Sequence, residues 1–477
     1  MDYKQQLFDY IDAHTDEMVE DVIRLCRIDS VRSSYEAGKP YGEGPYQALM
    51  AAMHLCERYG FATKNYDNYV MTADLNAGAP QLDILAHMDV VAPGDGWTVT
   101  KPFDPVVQDG KIYGRGTSDD KGPAMAALYA MRAVKELGLP VTKNCRLILG
   151  SDEECGSSDI VHYYAVEQEA PMTFSPDAEF PVTNVEKGQF RCELRAEFPA
   201  AAGAGAGSAS AGQAAILKAF RGGTTTNIVP GKAEAEVCGL DDDLIRTEAE
   251  AVTKATGVKF NITGMLGGLR IHAEGQGAHA SKPEGGKNAV LALLQLLNRL
   301  PFVESAQRDI LKKLEKCFPY GDHNGDALGI HVSDEISGST TVSLNIVDVS
   351  ETKLYAKFDS RTSIAANEEN TVKKAEALLQ EQGFTVDAGY NPPHVVPEES
   401  PFIQTLLQAY ETVTGLKGRC AAIGGGTYVH HLKNGVAFGA VGETTDTHMH
   451  GADEFMLIEE LKQAAKIYAL SIAELCR

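Results

Sequence analysis

Apolar positions recur at two spacings along this chain and divide it into alternating helices and strands. Over residues 4–27 they return every three or four positions, which predicts a single amphipathic helix. Short apolar runs at 82–86, 145–149 and 172–175 predict buried strands, and a helical pattern over 121–137 lies between the first two. Strands that alternate with helices are typical of an α/β sheet covered by helices.

Acids and histidines follow these predicted strands at the points where the strands end. The residues are His87, Asp119, Glu153, Glu154, Asp177 and, near the carboxyl terminus, His450. Because ligands of an open α/β sheet bind at the carboxyl ends of its strands, we expect these side chains to share one edge. Any one of them could be a solvated group, and Asp119 could simply cap the helix that follows. Six together favour a pair of metal ions held by carboxylates and imidazoles.

Neighbouring residues add detail to this hypothesis. His87 and Asp89 are two positions apart, so they share a face of an extended segment and the Asp89 carboxylate can orient the imidazole. Glu153 and Glu154 are adjacent, so their side chains diverge, which leaves one free to act as a base while the other binds metal. The pair His448 and His450 is ambiguous, since both could face the site. Asp453 and Glu454 could cap the last helix.

The pattern changes from about residue 185. Residues 189–198 alternate apolar and polar positions, as in a half-exposed strand of a different sheet, and the Ala/Gly/Ser-rich segment 200–212 predicts a loop. The Asn-Pro-Pro run at 391–393 predicts the point of return. We therefore predict a catalytic domain in two segments, 1–186 and 391–477, around an inserted α+β domain, 187–390. The catalytic domain is expected to contain a mostly parallel sheet.

Composition limits the classes of partner. The 477 residues carry a formal net charge of -23, which disfavours nucleic acid and anionic membrane surfaces. No run of about eighteen apolar residues occurs, so no membrane span is expected. The amino terminus lacks a signal-peptide pattern, and the nine cysteines are irregularly spaced, which predicts reduced thiols and a cytoplasmic protein.

Seven short motifs together resemble one known group of enzymes. They are HMDVV at 87–91, GTSDDKGP at 116–123, SDEE at 151–154, PDAEFP at 176–181, EKG at 186–188, GGGT at 424–427 and HGADE at 450–454. Their order and types resemble the cocatalytic-zinc aminoacylase and dipeptidase superfamily, most closely its peptidase V branch. The resemblance covers nearly the whole chain and implies a zinc aminopeptidase-like catalytic domain with an inserted lid.

The resemblance also implies roles for single residues. Asp119 would bridge two divalent ions, His87 and Asp177 would complete one site, and Glu154 and His450 would complete the other. Zinc is the expected metal, with manganese or cobalt as alternatives.

Further expectations concern residues near the metal ligands and after the Gly-rich loop. Glu153 would be the general base, Asp89 would hold His87 in its ligating tautomer, and the peptide bond Asp119–Asp120 would be cis. Cys155 is expected to be a small packed residue, and His430 and His431 to be structural or peripheral.

The resemblance implies that Asn227, His279 and Arg361 of the lid contact the substrate, as does Gly425 of the Gly-rich loop, and that His279 also stabilises the oxyanion. Arg361 would pair with the substrate carboxylate, although an ion pair with Asp359 is an alternative for it. The lid is about twice the length of the short lids in the superfamily, which implies a monomer that completes its own site.

We therefore expect a metal-dependent dipeptidase that hydrolyses dipeptides or short peptides with a free carboxyl terminus. The first alternative is an amidohydrolase for N-acyl or N-succinyl amino acids, because it would share every metal ligand. The second alternative, a non-catalytic binding protein, is disfavoured because all the expected ligands and Glu153 are present.

Overall fold

The computed structural model describes residues 2–201 and 214–477, which form two compact units. The first unit comprises the residues up to Val185, Val395–Ala422 and Gly426–Arg477, and the second comprises Glu186–His394 and Ile423–Gly425. Most of the predicted loop at 200–212 lies outside the described residues.

The first segment of the first unit contains most of its helices and strands. In chain order they are α1 (Tyr3–Ala13), α2 (Thr15–Cys26), α3 (Glu43–Arg58), β1 (Ala62–Tyr66), β2 (Val70–Asp74), β3 (Pro80–His87), β4 (Val106–Gln108), β5 (Lys111–Tyr113), α4 (Lys121–Glu136), β6 (Asn144–Gly150), α5 (Ser158–Tyr164), β7 (Met172–Ser175), β8 (Ala178–Glu179) and β9 (Val182–Glu186). A short 3-10 helix, Glu153–Cys155, follows β6.

The second unit is an α+β structure. Its elements are β10 (Gly188–Glu197), β11 (Ile216–Gly222), β12 (Ile228–Val229), β13 (Lys232–Cys238), α6 (Asp242–Thr256), β14 (Lys259–Met265), β15 (Gly268–Glu274), β16 (Ala278–His279), α7 (Ala289–Arg299), α8 (Ala306–Cys317), β17 (Ser333–Asp334), β18 (Gly338–Ser339), β19 (Thr341–Val349), β20 (Lys353–Thr362), α9 (Lys373–Glu381) and β21 (Thr385–Asn391). Eight strands form an antiparallel sheet in the order β14-β15-β13-β11-β19-β20-β10-β21.

The chain then returns to the first unit. The remaining elements are β22 (His394–Val395), α10 (Pro401–Thr414), β23 (Cys420–Ile423), β24 (Gly435–Ala437), β25 (Ala440–Val441), β26 (Phe455–Leu457) and α11 (Ile458–Leu475). A 3-10 helix, Tyr428–His431, precedes β24.

The large sheet of the first unit is mixed. Its strands run in the order β1-β2-β6-β3-β7-β24-β9, and the four central strands β6, β3, β7 and β24 are parallel. The flanking pairs are antiparallel, so the parallel character predicted for the sheet is confined to its centre. The predicted α/β class, with a sheet covered by helices and a separate α+β unit, is confirmed.

Both faces of this sheet are apolar and covered. Leu82 and Ile84 of β3 lie in a core with α4, α10 and α11, while Leu85 lies in a second core with Tyr163 of α5. Alternate side chains of a strand point to opposite faces, so a strand covered on both sides reads as a continuous apolar run. That burial explains the runs found in the sequence.

The predicted single helix over residues 4–27 is wrong. The chain leaves helical geometry at His14, with φ −110° and ψ 12°, and forms α1 and α2 instead. The His14 Nδ1 atom bonds the Tyr10 carbonyl at 2.8 Å, which satisfies a carbonyl group at the end of α1. The apolar positions keep their spacing across the break, so periodicity could not show it.

Within residues 2–201 and 214–477, no helix is both long enough and apolar enough to cross a membrane.

Asp83 of β3 is expected to make the stability of the protein depend on pH. Its side chain is buried, and burial raises the pKa of its carboxyl to about 7. An acid whose pKa is raised in the folded state destabilises that state once it ionises. Wild-type stability should therefore lose a contribution on the order of a few kcal/mol as pH rises from about 4 to about 7.

Asp83→Asn removes this ionisation. The thermal midpoint of the variant, relative to wild type, should rise through the same pH window and then level off. Asp387→Asn, which changes an exposed acid on β21, is the control and should give a difference that does not vary with pH. A pH-independent difference for Asp83→Asn would contradict the assignment.

Candidate metal centre

The carboxyl ends of three parallel strands bring most of the candidate ligands together. β3 ends at His87, whose register partner Gly150 ends β6, so the 3-10 helix with Glu153 and Glu154 begins beside the imidazole. β7 ends two residues before Asp177. Strand geometry therefore places groups from distant parts of the sequence at one edge.

Asp119 lies between two imidazoles. Its Oδ1 atom is 3.1 Å from His87 Nε2, and its Oδ2 atom is 2.8 Å from His450 Nε2. His87 Nε2 is also 3.7 Å from Asp177 Oδ2, and His450 Nε2 is 3.4 Å from Glu154 Oε2. The predicted cis peptide bond Asp119–Asp120 is confirmed.

Two overlapping groups of ligand atoms are compact enough to hold a cation. Single ligand atoms of His87, Asp119 and Glu154 lie within 4.8 Å of one another, and so do those of His87, Glu153 and Asp177. The second group contains Glu153, for which the sequence predicts a role as base. The structure thus places both glutamates of the 3-10 helix at the centre.

Asp89 contacts both His87 and the turn after β6. The His87 Nδ1 atom is 3.0 Å from the backbone carbonyl of Asp89 and 3.5 Å from its carboxylate. The carboxylate accepts hydrogen bonds of 3.2 Å from the N–H groups of Glu153 and Glu154. With Nδ1 facing Asp89, His87 presents Nε2 to Asp119.

Burial and the charges of neighbouring groups shift the pKa values of the acids at this centre. Burial, followed by nearby charges, holds the pKa of Glu153 well above its usual range and raises that of Glu154 to about 7. Burial and the charge on Asp119 raise the pKa of Asp177. Asp119 differs: burial acts to raise its pKa, but the neighbouring imidazoles of His450 and His87 bring it well below the usual value. The hydrogen bond to Asp119 raises the pKa of His450 to about 11.

This donor set fits two divalent cations. Four carboxylates and two imidazoles meet in a largely buried volume, where like charges are costly unless cations neutralise them. Among the described residues, the buried atoms His87 Nε2 and Glu154 Oε1 make no well-aligned hydrogen bond. Carboxylate oxygens and imidazole nitrogens are ligands that zinc and manganese accept.

The sequence did not indicate that several other buried residues support the centre. The Asp120 carboxyl accepts the backbone N–H of His87 at 3.1 Å, and burial holds the pKa of Asp120 well above the usual range. Glu454, considered above as a helix cap, instead lies buried against the loop before Asp119, and α11 begins at Ile458. These partners are far apart in sequence, so no local pattern could reveal them.

Asp159 supports the turn after β6 in a similar way. Its carboxylate accepts the N–H groups of Ser151 at 2.5 Å and Asp152 at 2.9 Å, and the Tyr428 hydroxyl at 2.5 Å. A Cβ at Gly150 would lie 2.1 Å from the Tyr428 hydroxyl oxygen, so this close approach requires glycine.

The four residues expected to contact substrate converge within the second unit. His279 pairs with Ile228 in the β12–β16 ladder, and the N–H of Ala280 bonds the Asn227 carbonyl at 2.8 Å. The side chain of His279 contacts the Ser281 hydroxyl at 2.7 Å through Nδ1.

Arg361 joins this cluster from β20. Its Nη1 donates to the Gly424 carbonyl at 2.6 Å, and its Nε donates to Asp359 at 2.6 Å. A Cβ at Gly424 would lie 2.6 Å from the Ser281 Cβ, which brings the segment with Gly425 beside His279. The alternative ion pair with Asp359 is therefore present, and it is buried.

Cys155 is exposed, so the expectation that it is a packed residue is wrong. The 3-10 helix turns its side chain outward while Glu153 and Glu154 face the centre. His430 and His431 lie on the 3-10 helix before β24, with His430 buried and His431 exposed.

Comparisons with known proteins agree with this architecture. Residues 84–474 match the model of peptidase family M20/M25/M40. The chain is 34% identical to YtjP of Bacillus subtilis (strain 168) over 466 residues, 97% of this chain and 98% of the relative. It is 33% identical to the Beta-Ala-Xaa dipeptidase of Lactobacillus delbrueckii subsp. lactis over 474 residues, 98% of this chain and 97% of the relative.

A solved structure, that of human carnosine dipeptidase 1, has a similar fold, with a TM-score of 0.59 at 14% identity, over 100% of this chain and 99% of the other. The match to the family model spans most of the chain and includes the whole candidate metal centre. The chain belongs to peptidase family M20/M25/M40.

Proposed function

We propose that the protein is a metal-dependent dipeptidase that hydrolyses dipeptides or short peptides with a free carboxyl terminus. The observation that carries this proposal is the position of Asp119 between His87 and His450, with Glu153, Glu154 and Asp177 around it. A relative named as a Beta-Ala-Xaa dipeptidase, similar over nearly its full length, supports the substrate class.

The ligands proposed for one ion are His87, Asp119 and Asp177, and for the other Asp119, Glu154 and His450. Zinc is the proposed metal, with manganese or cobalt as alternatives that suit the same donors. Bound ions at this place would polarise the peptide carbonyl and lower the pKa of water.

Glu153 is the proposed general base. It accepts a proton from the water that attacks the peptide carbonyl, and it returns that proton to the leaving amine. Its pKa, raised first by burial, makes it a stronger base than an exposed glutamate. The Asp89 carboxylate holds Glu153 in position for this step, because it accepts the backbone N–H groups of Glu153 and Glu154.

Asn227, His279, Arg361 and Gly425 are the proposed substrate contacts, with His279 donating to the oxyanion that forms at the carbonyl. Their convergence within the second unit supports this assignment. On this proposal, residues 1–186 and 391–477 form the catalytic domain and residues 187–390 form the lid.

The substrate carboxylate is proposed to bind Arg361. Arg361→Met should raise KM for dipeptides by about 10- to 100-fold, since a charge-assisted hydrogen bond contributes roughly 1.5–3 kcal/mol. For the same peptides with a carboxamide in place of the terminal carboxylate, KM should change little. Arg191→Met is the matched control, because Arg191 also pairs with Asp359, at 2.9 Å, but its side chain is exposed. An equal rise in KM for the carboxylate and carboxamide peptides would contradict binding of the substrate carboxylate by Arg361.

Activity assays separate the dipeptidase from the amidohydrolase alternative. Metal-stripped enzyme, restored with zinc or manganese, should cleave a dipeptide panel and leave N-acetyl and N-succinyl amino acids largely intact. Cleavage of only the N-acyl compounds would replace this proposal with the amidohydrolase. If the protein binds no metal and cleaves neither class, the catalytic proposal fails.

We also propose that the enzyme works as a monomer in the cytoplasm. All nine cysteines are free and seven of them are buried, which suits a reducing compartment. Light scattering of the purified protein should give a mass near 51.3 kDa.

A further inference from the structure

We propose that Glu454 and Arg115 are positioning residues that set Asp119 and the loop of His450 for metal binding. This inference rests on the proposed metal centre. Neither residue is among the proposed ligands. Their role follows from a set of buried contacts that reaches both sides of that centre.

Glu454 fixes the backbone that ends at Asp119. A single oxygen, Oε1, accepts the N–H groups of Gly116 at 3.1 Å, Ser118 at 3.0 Å and Asp119 at 3.3 Å. The Ser118 hydroxyl donates to the same atom at 3.1 Å. Glu454 is fully buried, so water does not compete for these donors. Several donors converging on one oxygen require an acceptor, and the carboxylate supplies it.

Arg115 connects this carboxylate to the loop of His450. Its Nη1 donates to the other oxygen of Glu454, and its Nη2 donates at 3.0 Å to the carbonyl of Gly451, the residue after His450. The guanidinium group is planar and rigid, so it holds these two acceptors at a fixed separation. One buried ion pair thus contacts the segment of Asp119 and the segment of His450.

A third segment joins at the same guanidinium group. Arg115 Nη2 lies 3.4 Å from the Pro93 carbonyl, which also accepts the indole N–H of Trp97 at 2.8 Å. The guanidinium carbon is 5.5 Å from the centre of the Trp97 ring. Asp453 accepts the N–H groups of Thr98 at 2.8 Å and Val99 at 2.9 Å. Since Trp97 is the single tryptophan of the chain, its fluorescence reports on this network.

A purely stabilising role would explain these contacts less well. Replacing both partners of a buried ion pair with apolar residues is often neutral or stabilising, so such a pair is weak evidence for stability alone. Here the charged groups bond the backbone on either side of Asp119 and His450. Residues that orient metal ligands in this way typically change metal affinity or activity by about 10- to 100-fold when they are replaced.

The test is calorimetric titration of zinc into metal-stripped wild type, Glu454→Gln and Arg115→Lys. Glu454→Gln keeps the shape but loses the charge that faces Arg115, and should weaken both zinc sites by about 10- to 100-fold, because Asp119 faces both imidazoles. Arg115→Lys cannot reach Glu454 and Gly451 together, and should weaken mainly the site of His450. Trp97 emission should report the same shifts to higher zinc concentration.

Asp74→Asn is the matched control. Asp74 forms a bidentate ion pair with Arg146 at the start of β6, away from the candidate ligands, and should leave both zinc affinities unchanged even if stability falls. Wild-type zinc affinities in both folded variants would overturn the positioning role while the metal centre stands. If Glu454→Gln does not fold, the zinc affinity of Arg115→Lys relative to wild type tests the positioning role on its own. No zinc binding by wild type would overturn the metal centre, and this role with it.

Discussion

Glu153→Gln should lower kcat for dipeptide hydrolysis by about 100- to 10,000-fold while two metal ions remain bound, as expected for the loss of a general base. Glutamine has nearly the same shape but cannot accept the proton. The backbone N–H of Glu153 still bonds Asp89, so the turn should keep its place. Metal content is measured by mass spectrometry and kcat by steady-state kinetics.

Glu20→Gln is the control, because Glu20 is an exposed glutamate on α2 and should leave kcat unchanged. A Glu153→Gln enzyme that keeps more than a tenth of wild-type kcat would show that another group takes the proton. Loss of metal by this variant would instead assign Glu153 to the ligands, as its place beside His87 and Asp177 also allows.

Asp119→Asn should remove activity and at least one of the two bound metal ions. The two oxygens of Asp119 face different imidazoles, at 3.1 Å and 2.8 Å, and an amide offers one oxygen and no charge. The zinc content should fall from two ions per chain to one or none, with activity below detection at zinc concentrations that saturate wild type.

Asp120→Asn is a close comparison for this result. Burial holds the pKa of Asp120 well above its usual range, and its Oδ2 accepts the His87 N–H, which an amide oxygen can also do. This variant should therefore keep two zinc ions. Equal zinc loss from both variants would mean that any change in this turn disrupts the centre. It would contradict a specific role of Asp119 as the ligand shared by both ions.

The sequence could predict the residues whose position follows from strand ends. His87, Glu154 and Asp177 each follow a buried strand, and parallel strands share one carboxyl edge, so their meeting required no knowledge of the rest of the fold. The alternating pattern of β10 likewise indicated a second sheet with one exposed face.

Contacts between distant segments could not be predicted. Glu454 bonds backbone groups more than 330 positions earlier in the chain, and the Tyr428 hydroxyl meets Asp159 across 269 positions. Buried acids of this kind look, in sequence, like the exposed acids that precede many helices. The break at His14 was hidden for a different reason, since helical spacing continued through it.

The split of the first unit has a consequence for synthesis of the protein. The second unit is almost contiguous, Glu186–His394, whereas the sheet of the first unit needs β24 and its core needs α10 and α11, all of which come after His394. Proteins fold from the amino terminus as they are made. The second unit can therefore fold first, whereas the segment up to Val185 cannot complete its sheet and core until the later segments have been made. Since His450 and Glu454 follow the second unit in chain order, a nascent chain can complete the candidate metal centre only after the whole second unit has been made.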